Sequence, residues 1–236
     1  MNKETYYRTD GREVMNNATH ATNGKLSIYF FSKVGTYSTE DLMLESDDWE
    51  PGYDYDLDDD KTNIILVRDE KERWASGVAQ EMGQMFNHQE ITHYTPEEME
   101  KFFRKFLPPY NPVNVLLYFQ HSHLGYNNQF PYIKSMWTQF VKFMNHPTTY
   151  FCDINDLNKD EFWDKFDMDK PENWGQGNRS IDIKNKDYIK QYCLKLLDEK
   201  LGWGRQEPAW YLIKTQLEQN QQWLDDLKKT DKWLCL

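Results

Sequence analysis

The chain has 236 residues, a formal net charge of -11, and 39% hydrophobic and 16% aromatic residues. That length supports a full hydrophobic core, and the acidic balance excludes a broad nucleic-acid surface, because phosphate backbones are repelled outside any local basic patch. No stretch has the length of a membrane span, Met1-Asn2-Lys3-Glu4-Thr5 lacks an apolar secretory core, and Cys152, Cys193 and Cys235 lack metal-ligand spacing, so a cytoplasmic protein with free thiols and no metal is expected.

Residues 1–23 are rich in Asn and Thr with little periodicity and read as a loose arm. No Pro/Gly/Ser linker or internal repeat divides 24–236, which reads as one domain. Lys25-Leu26-Ser27-Ile28-Tyr29-Phe30-Phe31, bounded by Gly24, predicts a strand. It runs into Ser32-Lys33-Val34-Gly35-Thr36-Tyr37-Ser38-Thr39, a hydroxyl-rich turn before a helix start at Glu40-Asp41-Leu42. Such a turn aims backbone N–H groups, hydroxyls and the positive end of a helix dipole at one spot, and Lys33 adds a full charge. The plainer alternative is an ordinary strand–helix connection with Ser38 or Thr39 as N-cap. Between Glu45 and Lys61 lie seven aspartates without the spacing or turning glycine of a calcium loop, which reads as a solvated acidic loop.

Asn63-Ile64-Ile65-Leu66-Val67 predicts a second strand that delivers Arg68 to its carboxyl tip. Asp69 can cap the following helix, with Glu72 three residues on as in a capping box. Trp74, Val78, Met82 and Met85 then share one helical stripe and Asp69, Arg73, Ser76 and Gln80 another. A fixed guanidinium with a hydroxyl eight residues later, on a polar stripe facing a cleft mouth, suits a phosphate group. Alternatively, Arg68 only ends a strand and Ser76 is a solvated helix residue.

Thr95-Pro96-Glu97-Glu98 opens a helix with Met99, Phe102, Phe103 and Phe106 on its apolar stripe, and Ile133, Met136, Trp137, Phe140 and Met144 form another, stopped at His146-Pro147. Between them, strand-like Val113–Phe119 runs into Gln120-His121-Ser122-His123. His121 and His123 alternate along a strand end and face one side, where a neutral imidazole is a competent general base; alternatively both are hydrogen-bonded loop residues, or a carboxylate such as Glu40 is the base. A third zinc ligand is not evident. The last third is helical in pattern, with one helix capped by Asn185 and another starting at Pro208 and bearing Trp210, Ile213, Leu217, Leu224 and Leu227.

Lys33-Val34-Gly35-Thr36, with Arg68 and Ser76 eight residues apart, resembles the sulfotransferase family, which uses 3′-phosphoadenosine-5′-phosphosulfate as sulfuryl donor. The loop carrying His121 and His123 is similar to the histidine-bearing loop of carbohydrate sulfotransferases, and Tyr150-Phe151-Cys152-Asp153-Ile154-Asn155-Asp156-Leu157 resembles the family's sheet-closing strand, which ends in an acidic residue and leucine. Where the family usually has proline before the lysine and a second small hydroxyl residue after Gly-Thr, this chain has Ser32 and Tyr37.

The resemblance implies an α/β fold with a parallel central sheet flanked by helices, P-loop-like, with a helical C-terminal third. It implies that Lys33, Val34, Gly35, Thr36, Tyr37, Ser38 and Thr39 hold the 5′-phosphosulfate of the donor while Arg68 and Ser76 hold its 3′-phosphate. Lys33 would stabilise the leaving group, and His121 or His123 would act as base toward a small-molecule or carbohydrate acceptor; neither nucleic acid nor membrane is an expected partner. A small P-loop kinase would want Gly-x-x-x-x-Gly-Lys-Ser/Thr, whereas Lys33 precedes the glycine here. A non-catalytic nucleotide-binding module of the same fold is the other alternative, with Tyr37 as its best witness.

Overall fold

The structure is a computed structural model that describes residues 5–7, 13–15, 18–30, 48–53, 56–76, 142–171, 187, 190–191, 194–195, 207–234 and 236. Two compact units emerge where the sequence predicts a single domain: Met1–Arg68 with Trp137–Arg179 and Leu227–Leu236, and Asp69–Met136 with Ser180–Asp226.

In the first unit, β1 (Thr5–Tyr7) and β2 (Glu13–Met15) pair antiparallel as a separate small sheet. The main sheet holds β3 (His20–Thr22), β4 (Leu26–Tyr29), β5 (Glu50–Gly52), β6 (Thr62–Val67) and β7 (Thr149–Asp153), in the spatial order β5-β3-β4-β6-β7. β4, β6 and β7 are mutually parallel, whereas β3 runs antiparallel to both β4 and β5. The sheet is therefore mixed rather than wholly parallel as expected. The reason is local: the Asn23 N–H donates to the Leu26 carbonyl at 2.9 Å, and the Asn23 side-chain oxygen accepts from the N–H groups of Lys25 and Leu26, both at 2.8 Å. A connection that short can only fold the chain back antiparallel. Part of the predicted arm is consequently built into the sheet, and Ala21 is completely buried there.

The predicted strands at 25–31 and 63–67 correspond to β4 and β6. All of β4 is buried, and β6 is buried from Asn63 to Val67, as befits strands covered on both faces. Asn63 is the polar exception, and its amide is consumed: it donates to the Asp58 carbonyl at 2.8 Å and to Thr148 Oγ1 at 2.9 Å, while its oxygen accepts from the Asp58 N–H at 3.2 Å.

β7 ends at Asp153, earlier than the predicted strand, and Asp156 and Leu157 lie in the 3-10 turn Ile154–Asn158 that follows it. Asp153 takes over as N-cap, accepting from the Asn155 N–H at 2.9 Å and so stopping the strand. The short helix Asp160–Asp164 then buries Phe162 and Trp163. Trp163 lies edge-on to Trp49 and donates its indole N–H to the Leu157 carbonyl at 2.9 Å. At the end of the stripe predicted over 133–144, Phe143 rather than Met144 is fully buried, with its ring 5.9 Å from that of Tyr29.

In the second unit, residues 70–76 are helical and Glu207–Leu227 forms a 21-residue helix whose Leu217 and Leu224 are buried. No helix among the described residues is long and apolar enough to cross a membrane.

Candidate functional site at the carboxyl edge of the parallel strands

The register sets Tyr29 beside Ile65 and Val67 beside Asp153, so β4, β6 and β7 deliver their carboxyl ends to one edge of the sheet. Open α/β sheets bind ligands at that edge, where successive loops leave the strands. Phe30 leaves β4 buried, Asp153 leaves β7 half-buried, and Arg68 leaves β6 half-buried. Arg68 thus stands at the tip of an apolar strand, as its sequence position predicts. Lys33, Val34, Gly35, Thr36, Tyr37, Ser38 and Thr39, which follow β4 in sequence, lie outside the described residues, as do His121 and His123.

Beyond Arg68 the predicted cap is present: Asp69 Oδ1 accepts the Glu72 N–H at 2.9 Å and the Asp69 carbonyl accepts the Arg73 N–H at 2.9 Å. Glu72 does not close the box in the usual way, since its carboxylate pairs with Lys190. The Glu70 N–H is taken by Gln221 Oε1 at 3.0 Å. Two of the orphan donors at this helix start are therefore already engaged.

The stripe carrying Arg73 and Ser76, expected to be polar and open, is buried: Arg73 is 0% and Ser76 8% exposed. Arg73 reaches back one turn to Glu70 in a two-pronged ion pair, Nε to Oε1 at 2.8 Å and one terminal nitrogen to Oε2 at 2.9 Å. Asn220 adds a third donor to Glu70 Oε2 at 2.9 Å, and Gln221 Nε2 bonds Asp225 at 3.0 Å. A buried carboxylate fork-bonded to arginine and served by an amide has its charge compensated, which is the condition for burying it at all. The three-residue spacing of Glu70 and Arg73 was a usable signal in the sequence. Nothing local announced Asn220 or Gln221.

Two further groups bear on chemistry. Cys152 is fully buried in β7, and burial first, then the carboxylates of Asp156 and Asp153, push its thiol well above the ordinary 9.0, which leaves it protonated and unreactive. The acidic stretch is, around residues 56–60, the solvated loop that its sequence predicts, with Asp56, Asp59 and Asp60 exposed, and a few contacts anchor it. Tyr29 donates its hydroxyl to the Asp56 carbonyl at 2.5 Å, Lys142 pairs with Asp56 at 2.9 Å, and His146 Nε2 lies 2.7 Å from Asp59. Asp58 is held below the ordinary 3.8 by the Asp60 N–H and by Lys61, which outweigh its partial burial.

Comparison with protein-family models, curated proteins and solved structures finds no match to this chain.

Proposed function

We propose that the protein is a sulfotransferase, moving a sulfuryl group from 3′-phosphoadenosine-5′-phosphosulfate to a hydroxyl or amine acceptor, possessing the P-loop-like fold that goes with that activity. The observation that carries the reading is Arg68 at the carboxyl tip of β6, beside the strand whose sequence continues into Lys33-Val34-Gly35-Thr36. Arg68 would hold the donor's 3′-phosphate, with Ser76, which the resemblance pairs with it and which is 8% exposed, reaching the phosphate only through that small opening. Lys33, with Thr36 and Ser38, would stabilise negative charge on the bridging oxygen as the nucleotide leaves, and His121 or His123 would take the acceptor proton. Tyr37, standing where a small hydroxyl residue would complete the 5′-phosphate grip, favours a second reading as a module that binds the nucleotide without turnover.

The test compares 3′-phosphoadenosine 5′-phosphate with adenosine 5′-phosphate by thermal shift. The first should stabilise the protein by about 2.7 kcal/mol at roughly 100 times its Kd, and the second far less. Arg68→Ala should weaken that ligand at least about tenfold in calorimetry, a charge-assisted bond being worth about 1.5 to 3 kcal/mol. Equal shifts with the two nucleotides would remove the role given to Arg68 and Ser76. Transfer from a radiolabelled sulfuryl donor to sugars, phenols or amines then separates the enzyme from the binding module.

A further inference from the structure

Among the described residues, the two edge strands of the main sheet are protected differently. β5 is three residues long and contains Pro51, which has no N–H to offer a pairing strand. β7 carries no such defect, and its edge is covered by the chain's own residues 232–234. The Phe151 N–H donates to the Lys232 carbonyl at 2.8 Å, and the Leu234 N–H donates to the Phe151 carbonyl at 2.8 Å, setting Trp233 parallel beside Phe151. Leu234 is buried, and Lys232 Nζ pins the segment by donating to the carbonyls of His146 at 2.7 Å and Pro147 at 3.3 Å.

We infer that residues 232–234 are a self-supplied edge strand whose displacement lets β7 pair with β7 of a second copy of this chain. The grip is asymmetric: among the described residues, β7 meets β6 through five residues in register but meets the covering segment through the one bridge between Phe151 and Trp233. The covering segment is thus the side that releases first. Once bare, Phe151 presents both its N–H and its carbonyl outward. In an antiparallel ladder, a residue exchanging both bonds with the one opposite is a hydrogen-bonded pair, so Phe151 is self-complementary across a two-fold axis. That register sets Tyr150 opposite Cys152 and Thr149 opposite Asp153, so no carboxylate faces its own copy. β7 is apolar at its centre, with Phe151 and Cys152 fully buried, and an uncovered apolar edge is what other strands add to.

The experiment uses two full-length variants. Leu234→Pro removes the N–H that serves Phe151, and Lys232→Ala removes the pin. Sedimentation gives the mass against concentration, and amide hydrogen exchange reads the Phe151 N–H. In both variants this amide should exchange at least about tenfold faster than wild type when dilute, the worth of roughly one hydrogen bond, and regain protection as the protein dimerises on concentration. An exposed Phe151 amide without dimers, dimers without restored protection, an amide still protected at all concentrations, or unfolding of both variants would each overturn the inference. In the last case the segment belongs to the folding core and is not displaceable.

Discussion

A methyl group added at Gly52 would fall 1.8 Å from Cε1 and 2.0 Å from Nε2 of His20, its cross-strand partner on β3. The ring has little freedom to retreat, because it stacks on Tyr29 with centroids 4.5 Å apart and its Nδ1 lies 3.1 Å from Thr19 Oγ1. A histidine laid over a glycine on a neighbouring strand fills the space that the missing side chain leaves. Gly52→Ala is therefore predicted to destabilise by about 1 to 3 kcal/mol in urea denaturation, as overpacking does. In a His20→Ala background the same change should cost almost nothing, and strictly additive effects would refute the contact as the cause. Gly24→Ala is the control, since nothing lies within 4 Å of a methyl group there.

At the scale of elements, the start of helix 70–76 is fastened by groups on the helix Glu207–Leu227, through Gln221 to the Glu70 N–H and Asn220 to the Glu70 carboxylate. Removing one member of a buried ion pair strands the other, whereas removing both strands neither. Glu70→Gln and Arg73→Met are each predicted to cost about 3 to 5 kcal/mol in chemical denaturation, and the double variant clearly less than their sum. Additive losses would mean that the two side chains do not act as a pair. The capped start at Asp69 was legible beforehand because capping is local chemistry over three residues. The burial of the Glu70–Arg73 pair was not, because polar residues on a helix stripe read the same whether solvent or a neighbouring helix faces them.

Over the whole molecule, the acidic stretch sets a pH dependence. Asp58 has a folded pKa below its ordinary 3.8, chiefly through the Asp60 N–H, with Lys61 adding a hydrogen bond and its charge. A carboxylate depressed in the folded state contributes stability fully above its unfolded pKa and loses it as pH falls through the folded one. Asp58→Asn should therefore be less stable than wild type at neutral pH, and the gap should close as the pH drops below 3.8. Urea midpoints for both proteins across that range check the sign, and a gap that widens in acid would refute it. At the same scale, among the described residues the mixed sheet has one edge strand blunted by proline and the other covered by residues 232–234.

Much of the element pattern needed only the sequence. Apolar runs fixed β4 and β6, and the stripe of Leu217, Leu224 and Leu227 with Pro208 near its start marked the last helix, because period and capping act within a few residues. Arg68 at a strand tip was legible for the same reason. The strand order, the admission of residues 20–22 to the sheet, the choice of Phe143 over Met144 for the core and the meeting of Glu70 with Asn220 were decided only in three dimensions. Each depends on partners far along the chain, and a side chain's own neighbours do not reveal which distant group will desolvate it. The roles given to Lys33, Gly35, Thr36, His121 and His123 rest on sequence resemblance, and the burial of Ser76 and Arg73 came from packing that no local spacing encodes.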